Sequence, residues 1–168
     1  MRLLCFCAVL TQIILFSTVE AQTLKLAEIR KDFKIGHKNE GLCKEHLAAL
    51  EKYANTPVER GYEAAYHMFM ASHSGNPFKK MSYFKNGKKM LEKEISSNPN
   101  NVELRYIRLC IQYYIPSYLG YKDDIEDDKR FIRDNLYKLD DKATKTLLYT
   151  YLKGADMYSN DELTLLAR

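Results

Sequence analysis

The chain has no tryptophan, and only 4 prolines, 7 glycines and 4 cysteines in 168 residues. So little proline and glycine excludes collagen-like and low-complexity classes, and no Pro-, Gly- or Ser-rich stretch marks an interdomain linker. Strand signals are scarce as well. No sustained period-two alternation occurs, and Asn86-Gly87 falls inside a helical pattern rather than between two apolar runs. Motifs that carry chemistry are also missing. There is no Gly-x-Ser-x-Gly, no glycine-rich phosphate loop and no His-Glu-x-x-His, so the usual signatures of serine hydrolases, nucleotide-fuelled enzymes and zincins are absent. Charge of one sign is in short supply too. Against 22 Asp and Glu, 26 Lys and Arg leave a formal net charge of +4 spread along the chain, which does not point to nucleic acid.

What is present begins with an address. Met1-Arg2 precedes an apolar run from Leu3 to Phe16 broken only by Thr11 and Gln12, followed by Ser17, Thr18 and Val19-Glu20-Ala21. Val19 and Ala21 stand at −3 and −1 of a cut before Gln22, the small-residue pattern a signal peptidase accepts. This predicts a signal peptide over 1–21, cleaved after Ala21, and a periplasmic or secreted protein. The rival reading is an uncleaved N-terminal anchor, although the run is short for a bilayer core that needs roughly 20 residues. Export to a DNA-poor compartment again argues against nucleic acid, and no stable membrane insertion is expected after cleavage. Cys5 and Cys7 leave with the peptide. Cys43 and Cys110 remain, either as a disulfide or as two buried thiols, because spacing alone does not supply the required Cα separation.

Helix starts are well marked. Thr56-Pro57-Val58-Glu59 reads as a capping box with proline at the first helical position, Asn76-Pro77 repeats the device, and Asn100 with Glu103 and Ser159 with Glu162 add two more caps. The expected helices are 41–54, 57–73, 77–97, 101–115, 123–138, 141–153 and 160–167, with a weaker one over 24–34. Short connections between them predict an all-α fold of stacked antiparallel helical hairpins in a single domain. Residues 22–40 read as a loosely attached lead, because Gly36 to Glu40 is the most irregular stretch, and 41–168 as the helical domain. Tyr62, Ala65, Tyr66, Phe69 and His73 form one helical stripe. Helix 101–115 has two, Val102-Tyr106-Leu109-Cys110-Tyr113 and Leu104-Ile107-Ile111-Ile115, and should therefore lie between other helices.

Gly75, Phe78, Gly87, Leu91 and Pro99 fall at the mutual spacings of a tetratricopeptide unit, so residues 71–99 resemble part of that motif. Glu94 stands where the motif has a small residue, and beyond residue 101 only Leu104, Ile107 and Gly120 fit, so no repeat array follows. The resemblance implies close helix approach at Gly87 and a groove for a peptide or protein. A wider stretch is similar to small exported helical proteins of Bacteroidetes bacteria. It runs from Asn76-Pro77-Phe78-Lys79-Lys80 through Glu103-Leu104-Arg105-Tyr106-Ile107-Arg108 to Pro116-Ser117-Tyr118-Leu119-Gly120-Tyr121. That likeness implies export and supplies no chemistry.

The strongest candidate site is a polar line, Arg105, Arg108 and Gln112, at i, i+3 and i+7 of helix 101–115. A compact acidic cluster follows it, Asp123, Asp124, Glu126, Asp127 and Asp128. Either the arginines border a groove and grip a ligand carboxylate, or they pair with the acidic cluster. In the first reading Tyr62, Tyr66, Tyr113 and Tyr121, from a chain with 13 tyrosines, line the same groove. The acidic run lacks EF-hand spacing. Cys43, His46, Glu63, His67 and His73 lack a second pair at ligand spacing. No metal, cofactor or catalytic residue is therefore expected. Met68, Met70 and Met81 read as core. Lys79, Lys80, Lys85, Lys88, Lys89 and Lys93, interleaved with Phe78, Tyr83 and Phe84, form either a contact for an acidic surface or an ordinary solvated face. The leading function is a non-enzymatic binding or scaffold module for a protein or peptide. The alternatives are a small helical enzyme using Glu63, His67 and the acidic cluster, with or without a metal, and a structural helper in envelope assembly.

Overall fold

The computed structural model describes residues 24–167. Within them the chain forms α1 (Leu26–Asp32), α2 (Glu40–Tyr53), α3 (Pro57–His73), α4 (Pro77–Ser97), α5 (Val102–Tyr114), α6 (Ile125–Asn135), α7 (Lys142–Gly154) and α8 (Asn160–Leu166), with short 3-10 turns after α1, α5 and α6. The described residues are all-helical and the helices pack antiparallel. The expected signal peptide, 1–21, and its expected cut lie outside the described residues.

Local chemistry sets most of these boundaries. Thr56 Oγ1 accepts from the Glu59 N–H at 3.3 Å while the Glu59 carboxylate accepts from the Thr56 N–H at 2.9 Å. Ser159 and Glu162 repeat the exchange at α8. Asn76 Oδ1 takes the N–H groups of Phe78 and Lys79, and Pro77 at the first helical position forfeits no bond. The start of α5 differs from expectation. Asn101, not Asn100, is the cap, and it accepts from both Glu103 and Leu104 N–H at 3.0 Å. Glu103 does not reach back to complete a box because its carboxylate is engaged across the core.

α3 and α4 form the tightest pair. A Cβ built on Gly87 would lie 2.4 Å from the Ala64 carbonyl oxygen and 2.6 Å from Met68 Cγ, so the two backbones meet where the sequence has no side chain. Gly87→Ala should gain helix propensity worth up to about 1 kcal/mol and lose more, about 1–3 kcal/mol, by forcing the helices apart. Gly154→Ala, where nothing lies within 4 Å of an added Cβ, should be neutral or stabilising. Paired denaturant titrations check both signs.

The tetratricopeptide resemblance stops at that contact. Gly75 sits in the turn between α3 and α4, while Phe78, Gly87 and Leu91 all lie on the single helix α4, so residues 71–99 are not themselves a two-helix repeat. Phe78, at the motif's aromatic position, is 87% exposed. Glu94 fills its position by pairing with Arg60 at 3.0 Å.

α5 runs through the centre. Every residue from Val102 to Gln112 except Arg105 is buried, and α3, α4 and α6 all contact it. Burying its Leu104, Ile107 and Leu109 contributes about 1.5–3 kcal/mol each. Of the N-terminal lead 22–40, residues 24–40 are described. α1 is docked, with Ile29 and Phe33 only 1% and 2% exposed and Phe33 stacked edge-on to Tyr62 at 5.4 Å. The irregular stretch Gly36 to Asn39 is a tight link rather than a loose end, its Gly36 carbonyl accepting from His73 Nε2 at 2.9 Å.

Candidate functional site

The polar line of α5 meets the acidic cluster in a closed network. Arg108 holds Asp128 with a two-pronged grip, Nε to Oδ2 at 2.7 Å and Nη2 to Oδ1 at 2.8 Å. Its Nη1 reaches Glu92 at 2.9 Å and Asp124 at 3.3 Å. Arg105 adds Nη1 to Asp128 Oδ1 at 3.0 Å and Nε to the Pro99 carbonyl at 3.3 Å, and lies over the Phe131 ring. Gln112 Nε2 donates to Asp124 at 3.0 Å. The side chains of Arg108 and Asp128 are 4% and 0% exposed, whereas Glu92 and Asp124, at 35% and 38%, face the rim. Burial opposes the Arg108 charge, but its hydrogen bond to Asp128 and the charges of Asp128, Glu92 and Asp124 outweigh that and hold its pKa above the usual range. Of the other acids, Asp127 pairs with Arg130 and Glu126 with Lys129 at the surface.

Tyr121 joins the same network. Its hydroxyl donates to Glu92, and burial, followed by that bond and the carboxylate charge, pushes its pKa far above normal, so the phenol stays a donor. Its ring stands edge-on to Phe84, and the Lys88 ammonium lies 4.4 Å from the ring centre. Lys88 Nζ also reaches the Gly120 carbonyl, and Lys122 Nζ the Tyr113 carbonyl, each at 3.4 Å. The segment 115–124 is thereby tied to α4 and α5 from both sides. Two aromatic side chains are left outside it, Tyr118 at 84% and Tyr114 at 59% exposure.

The remaining candidate tyrosines are elsewhere. Tyr62 and Tyr66 have no exposed surface and border no groove. The Tyr62 hydroxyl donates to Glu103 at 2.9 Å and that of Tyr66 to the Ile29 carbonyl at 3.3 Å, because both lie on the α3 stripe that packs against α1 and α5. Tyr113 is half-buried, its hydroxyl 3.4 Å from the Asp156 carbonyl. Seven side chains expected on one groove thus divide between a buried ion network, a core contact and a loop anchor. Two open depressions of about 520 and 420 Å³ dent the surface beside Phe131 and Asn135 and between α1 and α2. Neither takes in any of the seven.

A second buried ion pair carries no local sequence signal. Arg30 on α1 grips Glu103 through Nε at 2.6 Å and Nη2 at 2.8 Å, and Tyr62 completes the group. The partners are 73 residues apart. Glu92 has only a faint sequence signal: Glu92 and Glu94 are the only acids on a helix with six lysines, and both pair with arginines.

Cys43 and Cys110 are free and buried. Burial pushes the Cys43 thiol up to about 11 and the Cys110 thiol higher still, so neither is a thiolate at neutral pH. The folded chain should resist iodoacetamide. Under denaturing, non-reducing conditions two thiols should label if residues 1–21 have been removed, and four if Cys5 and Cys7 remain, as intact mass will read. His67 pairs with Glu51 at 3.4 Å, His46 with Asp32 at 3.0 Å, and burial raises the Glu63 pKa. Among the described residues no three His, Cys, Asp or Glu side chains converge as a metal site, and no helix is long and apolar enough to cross a membrane.

Comparison with family models, curated proteins and solved structures found no match.

Proposed function

We propose that the chain is an exported, non-enzymatic helical module that binds a protein or peptide through the end of α5 and the segment 115–124. The observation that carries this reading is the pairing of a tightly braced segment with two exposed tyrosines, Tyr118 and Tyr114, the latter edge-on to Tyr113. Tyrosine is enriched at interfaces because it offers a large apolar ring and a polar tip at low entropic cost. A segment already fixed by Glu92, Arg108, Asp124 and Lys88 has less disorder to lose on binding, which favours affinity. The arginine line contributes as a brace rather than as the gripping element. The N-terminal signal supports export.

A photo-crosslinking residue placed at Tyr118 in the native host tests this, with one at Lys153 on α7 as control. The expected result is a discrete protein adduct from position 118 that is absent from 153 and lost in a companion Tyr114→Ser variant. Equal adducts from both positions, or none from either, would refute it.

A further inference from the structure

A different face, on α4, supports a second kind of contact. Phe78, Ser82, Lys85, Lys89 and Lys93 succeed one another at helical spacing, and all are exposed. They form one outward stripe about 22 Å long at 1.5 Å per residue. Met81 beside it is 41% exposed, and Phe78 is almost fully in water. Among the described residues no carboxylate pairs with these lysines. The helix's own two acids are already paired, with Arg108 and Arg60. Among the described residues, Lys79, Lys80, Lys85, Lys89 and Lys93 make no ion pair, although exposed lysines elsewhere, such as Lys44 and Lys25, do. An unneutralised cationic face with a bare phenylalanine at one end is complementary to an anionic, partly apolar surface.

We infer that the α4 face adsorbs to an anionic lipid surface, with Phe78 and Met81 entering the headgroup boundary and the lysines above the phosphates. Charge complementarity and residue type both favour lipid over protein. Protein interfaces are depleted in lysine and use arginine, whose planar fork fixes a geometry. Here the face has lysine alone, mobile point charges on long apolar stems that suit a fluid array of phosphates. The mode is that of an interfacial helix, lying on the membrane rather than spanning it.

The test is sedimentation of the exported protein, its N-terminus verified by mass, with vesicles of pure phosphatidylcholine or with one part in three phosphatidylglycerol. The expected result is binding to the anionic vesicles only, weakened by salt. Lys85→Glu with Lys89→Glu should reduce it by at least about 25-fold, given roughly fivefold per lysine. Phe78→Ser, at a side chain with almost no packing to lose, should weaken it at unchanged melting temperature. Lys142→Glu with Lys153→Glu on α7, matched in net charge, should leave it intact. Four results would each overturn the inference: no binding to anionic vesicles, equal binding to neutral ones, equal loss in the α7 variant, or retention of an acidic protein by this face while vesicles are ignored.

Discussion

Arg108→Ala is expected to lower the free energy of unfolding by about 3–5 kcal/mol, the usual cost of stranding a buried charge. Without the guanidinium, Asp128 is fully enclosed with one bond from Arg105, and the Glu92 and Asp124 carboxylates are left facing it with no cation between them. Three acids around a single remaining arginine repel one another and hold α6 off α5. Thermal denaturation should show a fall of roughly 6–20 °C for a domain of this size. Arg108→Lys should recover little, because an ammonium cannot make the two parallel bonds to Asp128 and still reach Glu92. Asp128→Ala should cost less than Arg108→Ala. It leaves Arg108 with Glu92 and Asp124, while Arg105, already partly exposed, turns to water. That asymmetry distinguishes a charge network from simple loss of packing.

The second large effect is at the other end of α5. Arg30→Ala should cost about 3 kcal/mol, at the lower end of the range for broken buried pairs because Arg30 keeps some contact with water. Glu103, only 3% exposed, would then have the Tyr62 hydroxyl as its one side-chain donor. Because Arg30 ties α1 to α5, the loss should be local first. Hydrogen exchange should show α1 amides losing protection before those of α3 to α5. Unchanged α1 protection in the variant would mean that Ile29 and Phe33, with the Tyr66 and His46 contacts, hold this segment without the ion pair.

Helix positions were legible because the signals that set them are local. A capping side chain and the N–H it accepts lie two or three residues apart, as at Thr56, Asn76 and Ser159, and a proline at the first turn is visible without any tertiary knowledge. The centrality of α5 was legible for a related reason, since two apolar stripes on one helix require two neighbours. The site was only half legible. Both fates of the Arg105–Arg108–Gln112 line were readable from its spacing and from the acids downstream, but the choice depends on the rotation of α6, which brings Asp124 and Asp128 inward and leaves Asp123 and Asp127 in water. The Arg30–Glu103 pair was invisible because no pattern links residues so far apart. Without that pair, Gly36 to Glu40 looked like a slack tether.

A double-mutant cycle on Arg108 and Asp128, followed by guanidinium chloride denaturation of the four proteins, tests most directly whether the arginine line is a brace. The expected result is a coupling energy of at least about 2 kcal/mol, with the double variant far more stable than the sum of the single losses implies. Near-zero coupling with unchanged midpoints would mean that apolar packing alone joins α5 to α6, leaving the Arg108 guanidinium free to serve a ligand.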